Sequence, residues 1–242
     1  GGLRQRRYDD GRDAAVRKMD PDAFWDLIAG AKRECGQDMD ASLQWLTERL
    51  TALGPQQAQD FHDILHGYKH LAYKYGLWTT ATLICEHGCS DDGFMDFRAW
   101  LIAQGKEVYL TALADPDSLA DVEPYGGCQF ESFSYVASEV LNTLTGGDAY
   151  DSMDPDGFDA LVLELAKEIQ YGVGIDYPYE WDELEQHFPR LCEKYLEPGT
   201  VELMLDRGET IWFPDNEDIK EARAAGPPRQ SASQFNIRME GM

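Results

Sequence analysis

The sequence predicts an all-α fold, an irregular multi-helix bundle built around a single main domain. Three observations carry this. Helix starts are marked by a capping residue followed by proline, as in Asp20-Pro21, Gly54-Pro55 and Asp154-Pro155. Apolar residues recur at helical spacing between these starts and glycine stops. Alternation with a period of two, the mark of a half-buried strand, is confined to a possible short run at 210–213.

The elements follow in order. After Asp20-Pro21, the residues Phe24, Leu27, Ile28 and Ala31 make one apolar stripe. Asp40 can cap a second helix bearing Leu43, Leu46, Leu50 and Leu53. Gly54-Pro55 ends that helix and starts a third. There Phe61, Ile64, Leu65, Tyr68, Leu71, Ala72 and Tyr75 share a face and Gly76 is the expected stop. A fourth helix runs through Leu77, Trp78, Ala81, Leu83 and Ile84 towards Gly88. The fifth starts near Asp91 and ends at Gly105, and its Phe94, Phe97, Trp100, Leu101 and Ile102 cover most of the circumference, which predicts a central position. Val108, Leu110 and Leu113 mark a sixth helix, and Phe133, Val136, Val140, Leu141 and Leu144 a seventh that stops at Gly146-Gly147. Residues 123–130 and 148–153 read as loops. Asp154-Pro155 opens a helix with Phe158, Leu161, Val162, Leu165 and Ile169, and Phe188-Pro189 opens a short one with Leu191 and Tyr195. Met19-Asp20-Pro21-Asp22-Ala23-Phe24 is echoed by Met153-Asp154-Pro155-Asp156-Gly157-Phe158; a shared way of starting a helix accounts for it, an internal duplication being the alternative, and the similarity fades after one turn.

Four segments result: residues 1–18 as an N-terminal extension whose Gly1-Gly2 resembles a cloning remnant, 19–146 as the helical core, 147–214 as an acidic, mainly helical part packed on that core, and 215–242 as a flexible tail. The extension has no apolar stretch of the kind a secretory leader needs, and no apolar run in the chain is long enough to cross a bilayer. Five cysteines at irregular spacing (Cys35, Cys85, Cys89, Cys128 and Cys192) predict reduced thiols and a cytoplasmic protein.

Charge narrows the function classes. The chain has 45 acidic and 21 basic residues, a net charge of −24. Over residues 148–218 there are 20 acidic residues against Lys167, Arg190, Lys194 and Arg207. Such a surface repels phosphate, so neither nucleic acid nor an anionic membrane is an expected partner. It suits solubility, or docking of a basic protein.

Candidate chemistry is sparse, and no cofactor is implied. His62, His66 and His70 fall on one stripe of the third helix, angled away from the Phe61/Leu65/Leu71 face and so expected at solvent or a second surface. A rise of about 1.5 Å per residue puts His62 and His70 about 12 Å apart, so a metal ion could bind a neighbouring pair but not all three. Asp63 stands where a zinc-protease motif has its glutamate. Cys85, His87 and Cys89 lack zinc-knuckle spacing, although a helix start after Cys89 could activate that thiol. Ser90-Asp91-Asp92 can cap the fifth helix. The second carboxylate is surplus to capping, and could hold a cation, orient a base or pair with Arg98. The Asp-rich stretch around Gly157 fails the calcium-loop pattern, since position twelve is Leu163. Phosphate-binding, dinucleotide-binding and nucleophile-elbow motifs are missing from the sequence.

Several runs in order carry a resemblance: Asp22-Ala23-Phe24-Trp25-Asp26-Leu27-Ile28, Leu77-Trp78, Gly88-Cys89-Ser90-Asp91-Asp92-Gly93-Phe94, Phe97-Arg98-Ala99-Trp100-Leu101-Ile102 and Asp115-Pro116-Asp117-Ser118-Leu119-Ala120. Over residues 19–144 the chain resembles the bacterial domain-of-unknown-function family 4240. The resemblance implies a bacterial, cytoplasmic domain and transfers no catalytic residue. Two readings follow. One is an interaction or regulatory module, with Asp91, Asp92, Arg98, Trp78 and Trp100 or the acidic part meeting a basic partner. The other is a metal-assisted hydrolase using Asp91 and Asp92 with His62 or His66.

Overall fold

Asp20 opens the first helix as the sequence predicts: its carboxylate accepts from the backbone N–H of Ala23 at 2.8 Å, and α1 runs Pro21–Cys35. The computed structural model describes residues 18–85 and 88–228, so the expectations for residues 1–17, for His87 and for 229–242 lie outside the described residues. Asp38, not Asp40, caps α2 (Met39–Leu53), accepting from Ala41 N–H at 2.9 Å. The third helix, α3 (Pro55–Leu71), is followed by α4 (Tyr75–Ile84), α5 (Asp91–Ala103) and α6 (Lys106–Ala114). Three 3₁₀ turns, Pro116–Asp121, Tyr125–Cys128 and Glu131–Ser134, lead into α7 (Val136–Thr145) and α8 (Pro155–Ala166). The short helices α9 (Leu184–His187), α10 (Pro189–Tyr195) and α11 (Thr200–Asp206) precede α12 (Glu217–Ala225). Among the described residues there is no strand, and 210–213 is irregular. The two echoed segments are both helix starts, with Asp154 capping α8 as Asp20 caps α1.

The axle of the bundle is α3, which packs on α1, α2, α5, α7 and α8. Its buried residues include Phe61, Ile64, Leu65 and Tyr68, but also His62 and Lys69 on other faces. Gly67 lets α8 come close: a Cβ there would stand 2.7 Å from Leu165 Cδ1. On the opposite side an aromatic cluster joins α1, α3 and α6. Phe24 lies 4.8 Å from Phe61, Trp25 4.8 Å from Tyr68, and Tyr68 5.2 Å from Tyr109. The Trp25 indole donates to the Tyr68 hydroxyl at 3.0 Å, and that hydroxyl donates to Glu168.

The last carbonyls of a helix have no intrahelical donor and need partners from elsewhere. In α3 the Lys69 and Leu71 carbonyls are met by distant side chains, and the Tyr68 and His70 carbonyls, which also accept from the Ala72 N–H at the helix end, gain a second donor. The Tyr68 carbonyl accepts from the Tyr109 hydroxyl at 2.7 Å, Lys69 from Arg98 Nη1 at 2.7 Å, His70 from Tyr73 N–H at 3.1 Å and Leu71 from the Tyr171 hydroxyl at 2.8 Å. Each bond contributes about 1 kcal/mol net, and leaving one carbonyl bare costs more. This helix end is therefore the joint where α5, α6 and the C-terminal part meet.

Backbone contacts tie residues 147–214 to the core. Gly76 N–H donates to Ile175 O at 2.7 Å and Gly172 N–H to Leu113 O at 2.9 Å. A Cβ at Gly172 would lie 2.3 Å from Ala114 O, so only glycine permits this approach. Gly76 is thus not the stop of α3 but a close-contact residue in the first turn of α4. The buried carboxylate of Asp117 accepts from the N–H groups of Arg190 and Leu191, capping α10. The expected tail beyond 215 also differs. Asn216 caps α12, Ile219 is buried in the common core and Arg223 pairs with Glu180.

Candidate functional site

The Ser90–Asp92 corner forms where the fourth and fifth helices meet. Ser90 caps α5, its hydroxyl accepting from Gly93 N–H at 3.1 Å. The Trp78 indole donates to Cys89 O at 2.8 Å and its ring stacks on Phe94 at 4.6 Å. The family-like runs around Trp78 and around Ser90 therefore lock each other in place. Trp78 and Trp100 are core residues, at 0% and 1% exposure.

Asp91 and Asp92 are exposed in the first turn of α5, where they favour the positive helix end. Arg98 turns inward from the same helix. Its guanidinium lies 4.9 Å from the rings of both Tyr73 and Phe94 and is spent on the Lys69 carbonyl and, at 3.3 Å, on Phe94 O. Burial lowers its pKa, and the negative C-terminal end of α3 supplies the compensating field. The corner thus splits into two exposed acids and one buried structural base.

Beneath Arg98 lies a second buried cation that sequence reasoning missed. Lys69, 5% exposed, donates to the Ser134 hydroxyl at 2.7 Å. Burial first, then the neighbouring Arg98, pushes its pKa down to about 8 against a partial pull upward from Asp96. The one sequence signal was a lysine one turn after Leu65 and His66, next to the apolar face that carries Tyr68. Its partner stands 65 residues away, beyond the reach of local pattern.

The histidines separate. His70 is exposed, His66 is half-buried and His62 is fully buried. The expectation of a solvent-facing stripe is corrected for His62: α7 and α8 cover the side of α3 opposite its aromatic face. His62 Nδ1 lies 3.0 Å from Asp63 Oδ1, and His66 Nε2 lies 3.2 Å from the Tyr150 hydroxyl. Burial, then His62 and Lys69, lowers the His66 pKa to about 3, so the ring is neutral in ordinary buffers. His62 and His66 face Tyr150, whereas Asp91 neighbours Tyr73 and Arg98 near the end of α3, and no hydrogen bond or ion pair among the described residues joins Asp91 or Asp92 to either histidine. Among the described residues no group of three or more His, Cys, Asp or Glu side chains is placed to hold a metal ion. Nor is Cys89 an activated thiol. The Cys85 contact, then burial, raises its pKa.

Fold and site together define an all-α protein whose signature residues build an interlocked helical joint. The chain belongs to the DUF4240 family, described as a protein of unknown function, whose model matches residues 19–142. No curated protein and no solved structure matches the chain.

Proposed function

We propose that this is an interaction module that docks a basic protein on its acidic surface. The observation that carries the reading is where the charge sits. Of the 20 acidic residues in 148–218, 17 are exposed, among them Asp148, Asp151, Asp154, Asp156 and Asp159 around the start of α8. Clustered exposed carboxylates speed encounter with a cationic partner and repel polyanions. Asp91 and Asp92 add exposed negative charge at the start of α5. An antidote-like protein that masks a basic enzyme is one concrete form. The five free cysteines suit a reducing cytoplasm, and no helix among the described residues is long and apolar enough to cross a membrane.

The test is a low-salt pull-down with the full chain, paired with an Asp151→Asn/Asp156→Asn/Asp159→Asn variant. Recovery of a defined basic protein that weakens in the variant and with added salt supports the reading. Recovery of no basic protein, or equal recovery by both baits, counts against it.

A further inference from the structure

His62 and His66 of α3 make a side-chain cluster with Tyr150 that the docking role does not use. Their ring centroids are 4.3 Å apart, and the Tyr150 ring closes against both, at 4.7 Å from His62 and 5.1 Å from His66. The protons on this cluster can be assigned from the partners. Asp63 Oδ1 can only accept, so His62 carries its proton on Nδ1 and presents a lone pair at Nε2. That Nε2 is buried and has no hydrogen-bond partner. One turn earlier, Gln59 Oε1 is buried and unpartnered too. Its amide donates to Asp63 Oδ1 at 2.8 Å and Ala149 O at 3.0 Å. Both partners are acceptors, so flipping the amide would not satisfy the orphaned oxygen. His66 Nε2 faces the Tyr150 hydroxyl, which can donate to it. The cluster therefore presents two buried acceptors with no donor to meet them, while the charges of Lys69 and Arg98 act on His66 from one side.

A carboxylate behind Nδ1 with a free Nε2 in front is how histidine is held when it ligates a metal. Histidines one helical turn apart present their rings to one ion. We propose that His62 Nε2, His66 Nε2 and the Tyr150 oxygen bind a divalent late transition-metal ion of the zinc, copper or nickel class, with Asp63 as the positioning residue. Imidazole favours these metals over magnesium or calcium. Tyrosine supplies the third ligand, a residue type outside the usual His/Cys/Asp/Glu set. When the ion binds, the Tyr150 O–H···His66 bond gives way, the phenol proton goes to solvent and the phenolate oxygen joins the ion, one proton released per ion. Tyr150 is half exposed, which gives the ion a route in and leaves room for water on the outer side.

The experiment uses the full chain made without a histidine tag and stripped with chelator. It is titrated with zinc chloride by calorimetry in two buffers of different ionisation enthalpy, and with cobalt(II) chloride by visible absorption. The expected result is one ion per chain with a cobalt ligand-field spectrum. Affinity falls at least about tenfold in His66→Gln and in Asp63→Asn, and His70→Gln leaves it unchanged. Tyr150→Phe abolishes the released proton. His62→Gln is included with a circular dichroism check, because that site is fully buried; His66→Gln and Tyr150→Phe carry the test if it does not fold. No saturable binding, or binding of equal strength in the His66→Gln and Asp63→Asn variants, overturns the proposal; the second result would move the ion to the cysteines or the acidic surface. The pull-down above reads the docking role separately.

Discussion

Replacing Lys69 with methionine is expected to stabilise the protein at neutral pH and to remove one component of its pH dependence. The unfolded chain holds the lysine proton up to a pKa of 10.5, whereas the folded protein holds it only to about 8. Between these values the unfolded state binds more protons, so stability rises with pH. Its full contribution is present above 10.5, and it is lost as pH falls to about 8. The interval corresponds to about 3 kcal/mol at about 1.4 kcal/mol per pH unit. At neutral pH, then, the buried ammonium costs about 3 kcal/mol, offset by about 1 kcal/mol from its bond to Ser134. Lys69→Met keeps most of the stem packing and drops both contributions, for a net gain of about 2 kcal/mol, or about 4–8 °C in Tm for a chain of this size. Urea unfolding of both proteins from about pH 7 to 10 isolates the effect, because tyrosine ionisation is common to both. The gain should shrink steadily above pH 8. A difference that stays flat with pH, or a methionine variant several kcal/mol weaker at pH 7, would refute the assignment of a buried, burdened cation.

Other changes probe the joints. Gly172→Ala should cost about 1–3 kcal/mol, since its Cβ must push Ala114 O away from 2.3 Å; a thermal melt shifted by less than a degree would show that the two segments are not in contact there. Asp117→Ala strips two N–H groups of α10 of their acceptor and should cost about 1–2 kcal/mol, with exchange protection falling first in α10 rather than in α3. Tyr68→Phe leaves the Trp25 indole and Glu168 without their shared hydroxyl and should cost about 1–3 kcal/mol, read by chemical unfolding; a neutral result would mean that water replaces it.

Much of the helix order was legible because its signals are local. Asp20-Pro21, Gly54-Pro55 and Asp154-Pro155 each mark a helix start in the structure, where proline needs no donor and the preceding residue closes the turn. The misreadings share a non-local cause. Gly76 looks like a helix stop, but it is glycine because the backbone of Ile175 passes within reach. Helix α12 carries a single buried apolar residue, Ile219, too little pattern to read. From the sequence His62 reads as solvent-facing because local pattern shows one apolar face of α3; the contacts with α7 and α8, which come later in the chain, cover a second. For the site, type was legible and partnership was not. Arg98 lies two turns after Asp91 on the same helix, yet the Lys69 carbonyl at the end of α3 draws the guanidinium away.

The central claim is that the paired aspartates and Arg98 belong to a structural joint, unequally. Equilibrium urea unfolding of Arg98→Met beside the Asp91→Asn/Asp92→Asn double variant tests it directly. The arginine variant bares the Lys69 carbonyl and should lose about 2 kcal/mol even after Lys69 gains relief from a neighbouring charge. The exposed acids contribute only through the helix dipole and should cost about 1 kcal/mol or less together. Equal losses, or an arginine variant as stable as the parent, would contradict the account.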